Sequence, residues 1–183
     1  MHISENKKKV ISTSTISLFW STIGFLILFL LFRKDLALWS KINVEYIVFT
    51  IWILALDALA IIPFSKIRAE GRPIKYAIIK ILNVVINLSL NIFFLAFLPN
   101  WATNTDNVFI QTIYHEDFQI GYIFVSNLIA SLFTLLFVFP DYFKIKWQFD
   151  VDLWKKMMQY GLPILVAGIA FAINEHFDKI LLD

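Results

Sequence analysis

Four residues within one apolar stretch carry the strongest chemical pattern in the sequence: Lys80, Asn83, Asn87 and Asn91. On a helix turning about 100° per residue, their spacing places them within about 80° of one another. An ammonium and three amides on one stripe must face another helix or a wet cavity, because exposure to hydrocarbon is costly. Two readings fit. The stripe lines a hydrophilic path for sugar or phosphate groups, or it bonds helices together.

A second group is acidic. Asp57 lies inside the apolar stretch ending at Phe64, about 10 Å from its boundary on a helical rise of about 1.5 Å per residue. There it needs a cation such as Lys80, water, or a proton; a structural helix–helix contact is one use of such a site and an ion- or proton-coupling role is the other. Glu175 and Asp178, near Asn174 and Lys179, are coupling candidates on the same grounds if their helix spans. A third group, Arg68 and Arg72 in the short loop 66–75, is suited to a lipid headgroup or a pyrophosphate, although ordinary loop charge predicts the same residues. His2, His115 and His176 are far apart and there is no cysteine, so no metal site and no cofactor is expected.

The elements that must hold these groups are apolar runs. Of 183 residues, 59% are hydrophobic and 16% charged, and the mean hydropathy is +0.72, a balance that a membrane solvent explains. Runs at 10–32, 46–64, 74–97 and 120–139 are each long enough to cross about 30 Å of hydrocarbon. A fifth helix is expected to start at Leu162-Pro163, its apolar part too short to cross, after a cytoplasmic linker at 140–161. Pro63, Pro73, Pro99, Pro140 and Pro163 all fall at or near run ends. On the first run Ser14, Ser17, Ser21 and Gly24 form a small-residue seam; on the fourth Asn127, Ser131 and Thr134 share a face. Close helix packing is the expected use of both. The fold class is therefore all-α, a polytopic transmembrane bundle of about five helices.

Lysine and arginine set the orientation. Residues 1–9 and the loops containing Lys66 to Lys75 and Lys144 to Lys156 hold eleven of them, whereas Arg33, Lys34 and Lys41 are the only three on the other side. This places the N-terminus in the cytoplasm. The first run is too long for a secretory leader and lacks a small-residue cleavage pair, so it is read as a span. The formal charge of +2 gives no reason to expect nucleic-acid binding.

Three stretches carry a family resemblance: Leu56-Asp57-Ala58-Leu59 through Pro63-Phe64 and Arg68-Ala69-Glu70-Gly71-Arg72-Pro73; the helix from Lys80 to Asn91; and Tyr160-Gly161-Leu162-Pro163 with Ala172-Ile173-Asn174-Glu175. Together they resemble polysaccharide-biosynthesis flippases of the multidrug/oligosaccharidyl-lipid/polysaccharide exporter superfamily, especially the bacterial O-antigen type. The resemblance implies a fragment of a two-lobed transporter covering helices three to seven, with 10–139 in the N-lobe and 162–183 beginning the C-lobe. It also implies a multi-pass protein of the bacterial inner membrane that moves undecaprenyl-pyrophosphate-linked oligosaccharide by alternating access. Lys80, Asn83, Asn87, Asn91, Arg68 and Arg72 would then line the substrate path. The expected partners are that lipid-linked oligosaccharide, membrane lipids and the transporter's remaining helices, without which the fragment is expected to be inactive.

Other classes fit less well. A cation-coupled drug exporter of the same superfamily would use Asp57 as its coupling acid. A small scaffold would use the polar stripes only to hold partner helices. An enzyme acting on polyprenyl phosphate would need acids converging at one membrane face, and Glu70, Asp141, Asp150 and Asp152 form no paired-carboxylate motif, so no enzyme is expected.

Overall fold

The computed structural model of the chain describes residues 2–104, 110, 114–143, 145 and 147–181; at 2–6, 103, 104, 116 and 175–181 it describes the backbone alone. Among the described residues all regular structure is helical. The order is α1 (His2–Leu31), the short α2 (Arg33–Ser40), α3 (Val44–Ala69) and α4 (Pro73–Ile92). A π-helical turn (Phe93–Phe97) joins α4 to α5 (Leu98–Asn104), and a 3-10 turn (Glu116–Phe118) leads into α6 (Gln119–Tyr142). The last helix described is α7 (Val151–Leu181).

Five stretches are long and apolar enough to cross a bilayer: Lys7–Leu31, Val44–Ala69, Pro73–Ala102, Gln119–Tyr142 and Val151–Asn174. With no water in hydrocarbon to satisfy backbone groups, such runs must form helices. The chain is an all-α, multi-pass membrane protein.

Two expectations are corrected here. The fifth helix starts at Val151 rather than Leu162, so the region read as linker is partly helical and the resulting stretch is long enough to span. Asp150 starts it: its Oδ1 accepts from the Leu153 backbone N–H at 3.0 Å, an N-cap that the apolar count from Leu162 overlooked. Prolines also mark boundaries less well than expected. Pro73 does begin α4, but Pro63, Pro140 and Pro163 lie inside α3, α6 and α7. Pro99 follows the π turn, whose Leu95 carbonyl is the group a proline ring at that position crowds in a regular helix.

Residues 17–145 form one compact unit, and residues 1–16 with 146–183 form another. In the first, α6 packs along both α3 and α4. Its core is Ala60, Phe64 and Ile67 of α3, Ile79 of α4 and Val138 of α6, with Tyr76 and Leu135 against them. The turn from α3 to α4 is fixed by Gly71 at φ 71°, with Arg72 N–H donating to Ile67 O and Gly71 N–H to Arg68 O, both at 3.1 Å. This Schellman closure needs a left-handed residue that glycine adopts freely.

In the second unit, hydroxyls on α1 hold the segment before α7. Ser12 Oγ donates to Gln148 O at 2.7 Å and accepts from Gln148 N–H at 2.8 Å, while Thr13 Oγ1 accepts from Asp150 N–H at 3.2 Å. The buried small residues of α1 are Ser12, Thr13, Thr15 and Thr22; of the expected seam, Ser14 and Ser17 are half-buried while Ser21 and Gly24 are exposed. Ser14 Oγ bonds back to Val10 O within its own helix at 2.7 Å and also reaches Met157 Sδ of α7 at 3.9 Å.

Candidate functional site

The polar stripe of α4 faces α6. Asn83 Nδ2 donates to Thr134 Oγ1 at 2.9 Å, and Asn87 Nδ2 donates to Asn127 Oδ1 at 3.2 Å. Asn91 Nδ2 donates back to Asn87 Oδ1 at 2.6 Å. Thr134 passes its own proton to Ala130 O at 2.9 Å, so the seam is a chain of donors running from α4 into α6. The Asn127, Ser131 and Thr134 face meets the α4 stripe through Asn127 and Thr134. Asn91 Oδ1, at the donor end of the amide chain that closes on Asn127 Oδ1, is buried and makes no hydrogen bond among the described residues.

Lys80 separates from this seam. Its Nζ lies over the Phe64 ring at 4.9 Å from the centroid, and Arg68 lies over the Tyr76 ring at 5.3 Å. The two rings meet edge to face at 5.2 Å, so one aromatic pair carries two cations. Arg72 is on the adjoining turn, ion-paired at the surface with Glu70 at 3.3 Å. Arg68, Arg72 and Lys80 are exposed, and together they form a cationic station near the α3–α4 turn.

Asp57 does not pair with Lys80. It is exposed on α3, and among the described residues it forms no ion pair. The side chains of Glu175 and Asp178 lie outside the described residues.

One charged pair escaped the sequence reading. Lys75 Nζ meets Asp141 Oδ2 at 2.6 Å, with the Asp141 side chain only 2% exposed. Lys66, also buried, donates from Nζ to the Asp141 backbone O at 3.4 Å, and the neighbouring Tyr142 hydroxyl donates to Leu59 O. The node ties α3, α4 and α6 together at one end of the bundle. The signal was present: loops 66–75 and 140–161 fall on the same membrane side by charge counting, so a carboxylate beside Pro140 had lysines within reach.

Among the described residues no cluster of three or more His, Cys, Asp or Glu is placed to hold a metal. The arrangement offers dipoles and fixed cations instead, which suits binding of hydroxyls and phosphate oxygens. Comparison with family models, curated proteins and solved structures finds no match.

Proposed function

We propose that this chain is a transport protein of the bacterial cytoplasmic membrane, N-terminus inside, belonging with the lipid-linked oligosaccharide flippases it resembles. Its cargo in this reading is an undecaprenyl-pyrophosphate-linked oligosaccharide, moved by alternating access together with further transporter helices. The observation that supports the reading best is the placing of Arg68 and Lys80 on the Tyr76–Phe64 ring pair. Rings orient these cations without neutralising them, which leaves their positive charge available to a diphosphate. Asn83, Asn87 and Asn91 then belong to the helix contact beside the cargo path, a change from their expected lining role.

The test is saturable binding of undecaprenyl pyrophosphate to the purified chain, with dodecyl phosphocholine as the control amphiphile. The expected result is binding that weakens about tenfold or more when Arg68, Arg72 and Lys80 are all changed to Gln. Binding unaffected by those changes, or no preference over the control, overturns the reading.

A second reading is a non-transport scaffold that assembles helices. The Asn83–Thr134 and Asn87–Asn127 bonds favour it, because they spend the amide stripe on packing. Transport of labelled lipid-linked oligosaccharide in proteoliposomes that contain this chain and its transporter helices, but not in those lacking it, excludes the scaffold.

A further inference from the structure

We infer that an open cleft between α2 and α3 seats the phosphodiester headgroup of an anionic membrane phospholipid, with Arg33 and Lys34 as its cationic contacts. The cleft has a volume of about 630 Å³, and Arg33, Lys34, Glu45, Phe49, His115 and Phe118 line it. It is separate from the cationic station at Arg68, Arg72 and Lys80, and the inference does not depend on what that station binds.

Depth comes first. The stretch Lys7–Leu31 ends just before Arg33, Val44–Ala69 begins beside Glu45, and Gln119–Tyr142 begins just after Phe118. Three spans therefore start or stop at this cleft, which puts it at headgroup level. The short helix α2 agrees, for Leu38 and Trp39 on it are 80% and 87% exposed. A helix with basic residues at one end and bare Leu and Trp belongs in the interface plane.

Charge comes next. Among the described residues neither Arg33 nor Lys34 is in an ion pair. Glu45 on the same wall offsets one of their two charges, so the three side chains together carry one net positive charge. A phosphodiester carries one negative charge and a phosphomonoester up to two, so the match is to the diester. Phe49 and Phe118 supply apolar wall for the glycerol and first acyl carbons, as a water-soluble phosphodiester would not require.

The test is native mass spectrometry of the full chain in detergent, with phosphatidylglycerol, phosphatidic acid and phosphatidylcholine offered at equal amounts. Phosphatidylglycerol is expected to be retained preferentially. Retention falls about tenfold or more in an Arg33→Gln, Lys34→Gln double variant, since basic side chains at the membrane surface attract anionic lipid. It persists in Arg33→Lys, Lys34→Arg and rises in Glu45→Gln. Equal retention of phosphatidylcholine, preference for phosphatidic acid, or no loss in the Gln double variant overturns the inference. Displacement of the lipid by an equal amount of water-soluble glycerophosphoglycerol also overturns it, by showing a site for free phosphodiester. Both cations are exposed and, among the described residues, in no ion pair, and unchanged helical circular dichroism in each variant ties a loss to binding.

Discussion

Asn87 on α4 is the middle link of a three-residue amide chain, donating to Asn127 on α6 and accepting from Asn91 one turn along its own helix. Interhelical hydrogen bonds inside membranes average about 0.6 kcal/mol and reach about 1.7. Asn87→Leu breaks two bonds and should destabilise the chain by about 1 to 2 kcal/mol. Asn127→Leu breaks the interhelical bond alone and should have a smaller effect. Asn91→Leu should be nearly neutral, because it also removes the buried Oδ1 that has no partner. Unfolding by sodium dodecyl sulfate in mixed micelles ranks the three, and Asn91→Leu proving the most harmful would refute the hydrogen-bond order described.

The Lys75–Asp141 pair is asymmetric in burial, at 37% and 2% exposure of the side chains. Lys75→Met removes the counter-charge from a carboxylate that cannot reach solvent, whereas Asp141→Asn leaves a lysine that can. The lysine variant should therefore lose more stability, about 2 kcal/mol against about 1, below the range for fully buried pairs because Lys75 is partly solvated. The same micelle unfolding measures both. Equal losses would mean that Asp141 is held mainly by its other neighbours.

Gly71 closes α3 at φ 71°. Any side chain there adopts the left-handed region at a penalty of about 1 kcal/mol, and Asn less than Ala. No atom lies within 4 Å of an added Cβ, so Gly71→Ala should destabilise through the backbone alone and Gly71→Asn should recover part of the loss. Equal stability of the glycine and alanine proteins would show that the turn reopens without cost.

Asp57 has no ion pair among the described residues, so Asp57→Asn should leave unfolding within about 0.5 kcal/mol. A larger loss would reveal a partner for its charge.

With no native cysteine, single cysteines report topology without background. In intact cells a membrane-impermeant maleimide should label Lys41→Cys and leave Arg72→Cys unlabelled until the membrane is opened. The reverse pattern would invert the orientation proposed for the chain.

Four of the five spans were readable from the order of residues alone, because in hydrocarbon an apolar run has one way to satisfy its backbone and needs about 20 residues to cross. The stripe of Lys80, Asn83, Asn87 and Asn91 was readable for the same reason, since helical period alone groups it. Helix ends were less so. Asp150 starts α7 well before the apolar run, and Pro63, Pro140 and Pro163 are accommodated within helices that packing and the surrounding solvent sustain.

What only the tertiary structure decided is where each polar group turns. Lys80 shares the asparagine stripe yet rests on Phe64, while Asn83 and Asn87 reach α6; Asp57, for which Lys80 was one candidate partner, does not pair with it. Periodicity assigns a residue to a face of its own helix. Which neighbour that face meets depends on how α6 settles against α3 and α4, and that depends on contacts such as Ala60, Ile79 and Val138, whose positions along the chain carry no record of one another.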